Sequence, residues 1–199
     1  MPRPTKRDAI LKTAASLFMR HGFARVSIDQ IAAAVPISKP TLYVHFADKR
    51  ALFLAVIEHS CQRLMRGMRG TIETGDAPEE TLFAIGYEFL DMVLSKPAIQ
   101  MHRMLTAEVG DFPEIAELFY HSGPKQMHQL LADYLRAQHR KGTLNVADAG
   151  LSADMFLSMV KGYIHLQRLL GLAKPPSKKQ MRTRVRYALD LFMKAHATH

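Results

Sequence analysis

Apolar residues recur along the chain at the three-to-four-residue spacing of the buried face of an α-helix. Ile10, Ala14 and Phe18 share one face, which predicts a first helix from about residue 5 to 21. Gly22 predicts its left-handed end, with Phe23 packing back on the last turn. Farther along, a proline or a capping residue stands at each expected start. The predicted later helices cover roughly residues 78–95, 97–109, 113–122, 124–141, 148–170 and 177–195.

Between residues 27 and 46 the pattern predicts two short helices. Ser27-x-x-Gln30 is a capping box, and the helix it opens must stop near Pro36, which has no amide hydrogen. Ser38 caps a third helix that reaches about Phe46, and Asp48 caps a longer fourth one. Two short helices joined by a turn of about four residues are typical of a helix-turn-helix motif.

Composition favours an all-α protein. Ala, Leu and Met total 59 of the 199 residues, whereas the strand-favouring Val and Ile total 19. A single cysteine, Cys61, excludes an internal disulfide framework and a Cys-rich zinc site, and we expect it to be a buried small apolar residue. No apolar run approaches the ~20 residues that span a bilayer, and the N-terminus lacks the apolar segment of a signal peptide. A cytoplasmic protein without membrane contact is therefore expected.

Charge is distributed unevenly along the chain. Residues 1–69 carry 12 Lys and Arg against 4 Asp and Glu, a net charge of +8 out of the total of +9. Residues 70–199 carry 15 against 14. A positive block on a folded segment indicates a polyanionic partner, with nucleic acid favoured over an anionic membrane.

Three stretches carry a resemblance to a known family. They are Ser27–Ala32, Ile37–Phe46 and Asp48–Leu52, and they include the spacing Thr-Leu-Tyr-x-x-Phe-x-x-Lys. Over about residues 6–60 the chain resembles the DNA-binding domain of TetR/AcrR-family transcriptional regulators. It departs from them at Val35-Pro36, where the family usually has Ala-Gly. The segments 108–113 and 156–170 are similar to the C-terminal domain of AefR-type members.

The resemblance and the helical pattern together predict a recognition helix at residues 39–46. Leu42 and Phe46 should face inward, which leaves a small, uncharged outer face to meet base edges, with phosphate-binding groups on its flanks. For Tyr43, His45 and Lys49, a core-edge or plain surface role is the alternative. The predicted DNA-contacting residues are Lys6, Ser27, Ser38, Lys39, Pro40, Thr41, Tyr43, Val44, His45 and Lys49.

For the rest of the chain the resemblance implies a homodimer and an effector pocket. Methionine and aromatic side chains, which suit adaptable apolar sites, define the pocket residues, although the same residues could be plain core. They are Met65, Met68, Phe83, Tyr87, Met101, Met104, Phe119, Tyr134, Met155, Phe156, Met159 and Tyr163. An apolar stripe on the last two helices defines the expected dimer interface: Val160, Met181, Val185, Ala188, Leu189 and Phe192.

These observations predict a helix-turn-helix domain at residues 1–47, a connecting helix at 48–70 and a larger helical domain at 71–199. The expected function is a homodimeric repressor on a palindromic double-stranded DNA operator, released by a small lipophilic effector. We expect no catalytic residues, metal or cofactor, because no Gly-x-Ser-x-Gly, phosphate loop, dinucleotide fingerprint or metal-binding histidine pair is present. The alternatives are a helical ligand carrier with a basic end and a cofactor-free helical enzyme.

Overall fold

The computed structural model describes residues 5–74 and 77–198, and of residues 63–69 and 71–74 the backbone alone. The described part is built of helices without strands, so the predicted all-α class is confirmed. The helices are α1 Lys6–His21, α2 Ile28–Ala34, α3 Lys39–His45, α4 Lys49–Thr74, α5 Pro78–Leu94, α6 Lys96–Glu108, α7 Pro113–Ser122, α8 Pro124–Arg140, α9 Ala149–Leu169 and α10 Lys178–Ala195.

Capping groups set the helix ends at the positions that the sequence predicted. The Ser27 side chain accepts from Gln30 N and the Gln30 side chain accepts from Ser27 N, the two bonds of a capping box. Asp48 Oδ1 accepts from Ala51 N at 2.7 Å at the start of α4. Gly22 ends α1 with a φ of 81°, and its N–H donates to Phe18 O.

The first of two compact units combines residues 1–62 with residues 100–122. Its core is formed by α1, α2, α3, the first part of α4, and residues of α6 and α7. Phe18, Phe23 and Phe53 meet at ring-centroid distances of 4.6 to 5.7 Å. Cys61 is buried at the edge of this core, where burial raises the pKa of its thiol to about 11 and keeps it protonated.

The placement of residues 100–122 differs from the predicted grouping with the C-terminal part of the chain. Met101, Met104, Leu105 and Ile115 are buried in the core of the first unit. The hydrophobic spacing predicted that these residues face a core. The local sequence does not indicate which of the two cores they join. The chain therefore passes between the units three times, within α4, within α6 and between α7 and α8.

The second unit consists of residues 63–99 and 123–199. Helices α5, α8, α9 and α10 enclose a core that contains Phe156 and Phe192 in edge contact at 5.1 Å. Within α9, Gly162 interrupts the helix with φ 51° and ψ −163°. The positive φ favours glycine at this site, whereas the Arg184 guanidinium that a Cβ atom would meet is the end of a flexible side chain and could move aside.

The stripe predicted to form a dimer interface is part of this core. Its six members are almost completely buried within the chain, because α10 packs on both α5 and α9: Val160, Met181, Val185, Ala188, Leu189 and Phe192. The assignment of these residues to a subunit interface was therefore wrong. Among the described residues, no helix is long and apolar enough to cross a membrane.

Candidate nucleic-acid interface and effector region

The turn between α2 and α3 has one of the two hydrogen bonds of a Schellman ending. Helix α2 stops at Ala34, Val35 caps it, and Ile37 N donates back to Ala32 O at 3.0 Å. Pro36 therefore occupies the position that usually holds glycine, with a φ of 27° instead of the roughly −65° that its ring favours. The turn keeps its shape despite the departure from Ala-Gly that the sequence showed.

Helix α3 is anchored by one face and presents the other. Leu42 and Phe46 are buried in the core, as predicted. Val44 is 82% exposed and Tyr43 45% exposed, and Pro40 also lies on the surface. Thr41 and His45 are half-buried at the border between the two faces. Because α3 packs on the three-helix core through its inner face, its outer face is free to lie against a flat or grooved partner.

The polar groups at the start of α3 are tied to neighbours in the chain. Ser38 Oγ lies 2.7 Å from Thr41 Oγ1 and accepts from Thr41 N. Lys39 Nζ lies 2.9 Å from Asp29 Oδ1 at the start of α2, and the hydrogen bond to that carboxylate raises the pKa of Lys39. This ion pair is exposed and holds the two short helices together only weakly.

Lys49 makes contacts within its own unit that a simple phosphate-binding side chain on the surface would not need. Its Nζ donates to Ala24 O at 3.2 Å and lies 4.4 Å from the centroid of the Phe23 ring. Burial lowers the pKa of Lys49, while the Glu108 carboxylate acts in the opposite direction. Lys49 thus joins the start of α4 to the loop that precedes α2, although its ammonium group has donors left for a further partner.

The structure brings most of the predicted DNA-contacting residues onto one unit, around α2 and α3. Lys6 is exposed at the start of α1, where Arg7 lies 5.3 Å from the Phe46 ring centroid. Sequence reasoning missed Arg25, which is exposed in the loop that leads to the Ser27 cap. A basic residue two positions before a helix cap was the signal that could have identified it.

The predicted pocket residues are divided between the two units. Met101, Met104 and Phe119 belong to the core region of the first unit, while Tyr134 and Phe156 are buried in the second, where Phe83 and Tyr87 are partly buried against the same core. Met155 and Tyr163 are exposed on α9. The side chains of Met65 and Met68 lie outside the described residues. A single pocket lined by all twelve residues stays a prediction, because helical spacing marks apolar faces but does not distinguish a cavity wall from a filled core.

Helices α9 and α10 carry an apolar surface that sequence reasoning did not separate from the core stripe. We call it the α9–α10 outer face, and its exposed members are Met155, Tyr163, Leu166, Leu170, Tyr187 and Leu191. Tyr163 is 71% and Tyr187 69% exposed. A groove of about 1020 Å³ runs beside it, with Met159, Ile164 and Leu191 among its apolar walls and Lys174, Lys179 and Arg184 among its polar ones. The spacing of Tyr163, Leu166 and Leu170 was the available signal.

The fold and the α2–α3 surface define a helix-turn-helix DNA-binding regulator. Residues 10–56 match the family model for bacterial regulatory proteins of the tetR family. Residues 80–198 match the model for the C-terminal domain of AefR-like transcriptional repressors. The chain therefore belongs to the TetR family of transcriptional regulators, and it is not an enzyme.

Individual relatives agree with this assignment. The flavonoid-responsive regulator FrrA is 31% identical, with a TM-score of 0.77 over 96% of this chain and 97% of that one. A TetR-family regulator from Mesorhizobium loti has the same fold, with a TM-score of 0.90 at 18% identity over 96% of each chain. The transcriptional activator FasR of Mycolicibacterium smegmatis is 32% identical over 93 residues, which are 47% of this chain but only 42% of FasR.

Proposed function

We propose that this chain is a repressor that binds a palindromic DNA operator as a homodimer and is released by a small lipophilic effector. The observation that carries the proposal is the exposed outer face of α3, held on a three-helix core within the strongly basic first third of the chain. The description of the C-terminal model as that of a repressor supports the sign of regulation. We place this activity in the cytoplasm, where the DNA of a bacterial regulator lies.

In this proposal the predicted DNA contacts divide into two groups. The exposed or border positions of α3 meet base edges in the major groove, and these are Pro40, Thr41, Val44 and His45. The positions around them meet phosphates, and these are Lys6, Ser27, Ser38, Lys39, Tyr43 and Lys49. Because the Lys39 ammonium is already paired with Asp29, it either shares its three donors between that carboxylate and a phosphate or exchanges one for the other.

The proposed dimer forms through the α9–α10 outer face, in place of the buried stripe. Large apolar side chains that cluster on the surface of a helical protein mark an interaction site. A second copy that places its own Tyr187 and Leu191 against this face would bury them and fill the adjoining groove. Two copies are also what a palindromic operator needs, since its half-sites lie about 34–36 Å apart.

The proposed effector site lies in the C-terminal region that matches the AefR-like model, residues 80–198. FrrA, whose match covers 96% of this chain, is flavonoid-responsive, and flavonoids are largely apolar aromatic molecules. Effector titration with and without operator tests this part, with a panel of flavonoids as probes. An effector that acts as a switch must bind the operator-bound protein more weakly, by roughly 5–150-fold for an ordinary coupling energy. Equal affinities in the two titrations would contradict the switch.

Selection from a random DNA library tests the central proposal. The purified full chain should enrich an inverted repeat, and binding to it should weaken steeply with salt, since each phosphate contact releases a counterion. Enrichment of one repeat separates a regulator from a helical carrier whose basic end binds any polyanion. Equal binding to all sequences would contradict the proposed function.

A further inference from the structure

The surface that α3 offers to DNA consists mainly of carbon atoms. Val44 is 82% exposed and shares the outer face of α3 with the exposed residues Pro40 and Tyr43. Residues 38–46 include no Arg, Asn or Gln, which together with Lys are the side chains that form bidentate hydrogen bonds with guanine or adenine. Lys39 is paired with Asp29, and the proposed function assigns Lys39 and Tyr43 to phosphates. Hydrogen-bonded reading of bases by α3 therefore falls to Thr41 and His45.

Thr41 is itself committed to a neighbour. Its hydroxyl lies 2.7 Å from Ser38 Oγ, in a pair that closes the first turn of α3. A hydroxyl that already shares a hydrogen bond contributes less to base discrimination than an unshared one, whereas its γ-methyl group keeps its apolar surface. His45 is half-buried beside Phe46, with ring centroids 6.4 Å apart, so only part of its ring is accessible.

An apolar reading surface matches one feature of the major groove. Among the four base pairs, the C5-methyl group of thymine is the apolar group displayed at the groove edge. We infer that this regulator recognises its operator through thymine methyl groups, with Val44 as the principal specificity-determining residue. The inference rests on the proposed function, because it requires α3 to enter the major groove.

Replacement of thymine by uracil tests the inference directly, because uracil keeps the base pair and lacks only the methyl group. The operator selected from the random library is synthesised with one uracil at a time in each half-site, and the dissociation constant is measured by fluorescence anisotropy. We expect at least one position per half-site to lose affinity about fourfold, the equivalent of burying one methyl group at about 0.8 kcal/mol. Uracil at positions outside the contact should change nothing.

A substitution in the protein identifies the side chain that reads the methyl. In Val44→Ala the sensitive thymine should lose its preference over uracil, since the isopropyl group that contacts it is gone. Val109→Ala makes the same change at an exposed site outside α3 and should keep the full uracil effect. This control also shows that truncation of a surface valine leaves the domain folded.

The outcomes separate this inference from the function on which it rests. A protein that enriches no DNA sequence refutes both. A selected operator that tolerates uracil at every position, or that has no thymine in its half-sites, refutes the role of methyl groups while the regulator proposal stands. If uracil lowers the affinity of Val44→Ala as much as that of the unchanged protein, another residue contacts the thymine methyl group. That result overturns the role of Val44.

Discussion

Pro36 stands at the one position of the α2–α3 turn where glycine would be expected on physical grounds. Its φ of 27° lies in the left-handed region, and as a proline it has no N–H to give the second bond of the Schellman ending. Strain of this kind costs of the order of 1–3 kcal/mol. The turn is kept because Ile37 N bonds to Ala32 O and because Leu42 and Phe46 hold α3 in place.

Pro36→Gly should therefore stabilise the protein. Glycine adopts the positive φ freely and restores the missing N–H donor. It also increases the conformational entropy of the unfolded chain, which lowers the free energy of unfolding by about 0.4–1 kcal/mol. We expect a net gain of roughly 1 kcal/mol in the free energy of unfolding, measured by urea denaturation. Pro40→Gly is the matched control, since Pro40 lies unstrained in the first turn of α3 and its loss should destabilise. A Pro36→Gly variant with a lower free energy of unfolding would contradict the claim that Pro36 is strained.

Lys49 permits a separate test of its two roles. Lys49→Met keeps the aliphatic stem but removes the ammonium from Ala24 O and from the Phe23 ring, so the free energy of unfolding should fall by roughly 0.5–1.5 kcal/mol. If Lys49 also binds a phosphate, the slope of log affinity against log salt should become shallower by about one. Lys12→Met removes the same charge from an exposed position of α1. A reduced stability with an unchanged salt slope would assign Lys49 to the fold alone.

At the scale of elements, the corner between α6 and α7 stabilises the helix-turn-helix unit. Phe112 meets the Phe23 ring edge-on at 5.2 Å, and Arg50 lies 5.8 Å from the centroid of the Phe112 ring. Arg50 also forms an ion pair with Glu114. The aromatic contact matters more than this partly exposed pair, because a surface salt bridge contributes at most about 1 kcal/mol.

Phe112→Ala should accordingly lower the free energy of unfolding by about 1–2 kcal/mol, less than for a fully buried phenylalanine, because its ring is half-buried. Denaturant unfolding followed by circular dichroism measures the effect. Tyr120→Ala removes an aromatic ring from an exposed site of α7 and serves as the control, with a change below about 0.5 kcal/mol expected. Equal losses in the two variants would show that Phe112 has no special role in this corner.

The helices themselves were largely predictable, whereas their partners were not. Pro78, Pro113 and Pro124 each open a helix as expected, because proline suits the first turn. The sequence pattern also grouped Val185, Ala188 and Leu189 on one apolar face of α10, and in the structure that face turns inward to the core. Periodicity states which face is apolar, but it cannot say whether that face meets the same chain or a second copy, and so the interface was misassigned.

The same reasoning separates the predictable from the unpredictable parts of the site. Leu42 and Phe46 were correctly assigned to the core because inward spacing is a local property. The pairing of Lys39 with Asp29 and the contact of Lys49 with Ala24 join residues that are 10 and 25 positions apart. Such contacts depend on how the helices meet in space, and the local sequence pattern does not predict them.

At the scale of the whole molecule, the dimer should depend on the α9–α10 outer face. Tyr163→Glu combined with Leu166→Glu places charges on exposed positions, so the fold should persist while sedimentation shows a monomer. Specific operator binding should then fall steeply, since a monomer occupies one half-site. Tyr120→Glu, an exposed aromatic on α7, should leave the dimer intact. A persistent dimer in the double variant would place the interface elsewhere.

The shared core of the first unit determines how this regulator could be recombined with others. A chimera that exchanged residues 1–62 alone would leave behind Met101, Met104, Leu105 and Ile115, which belong to the same buried core as the residues of α1 to α4. The transplanted residues would meet foreign side chains within that core, where mismatched volume is costly. A functional graft of DNA specificity onto another effector domain must therefore carry residues 100–122 with it, or else change only the outward residues of α3.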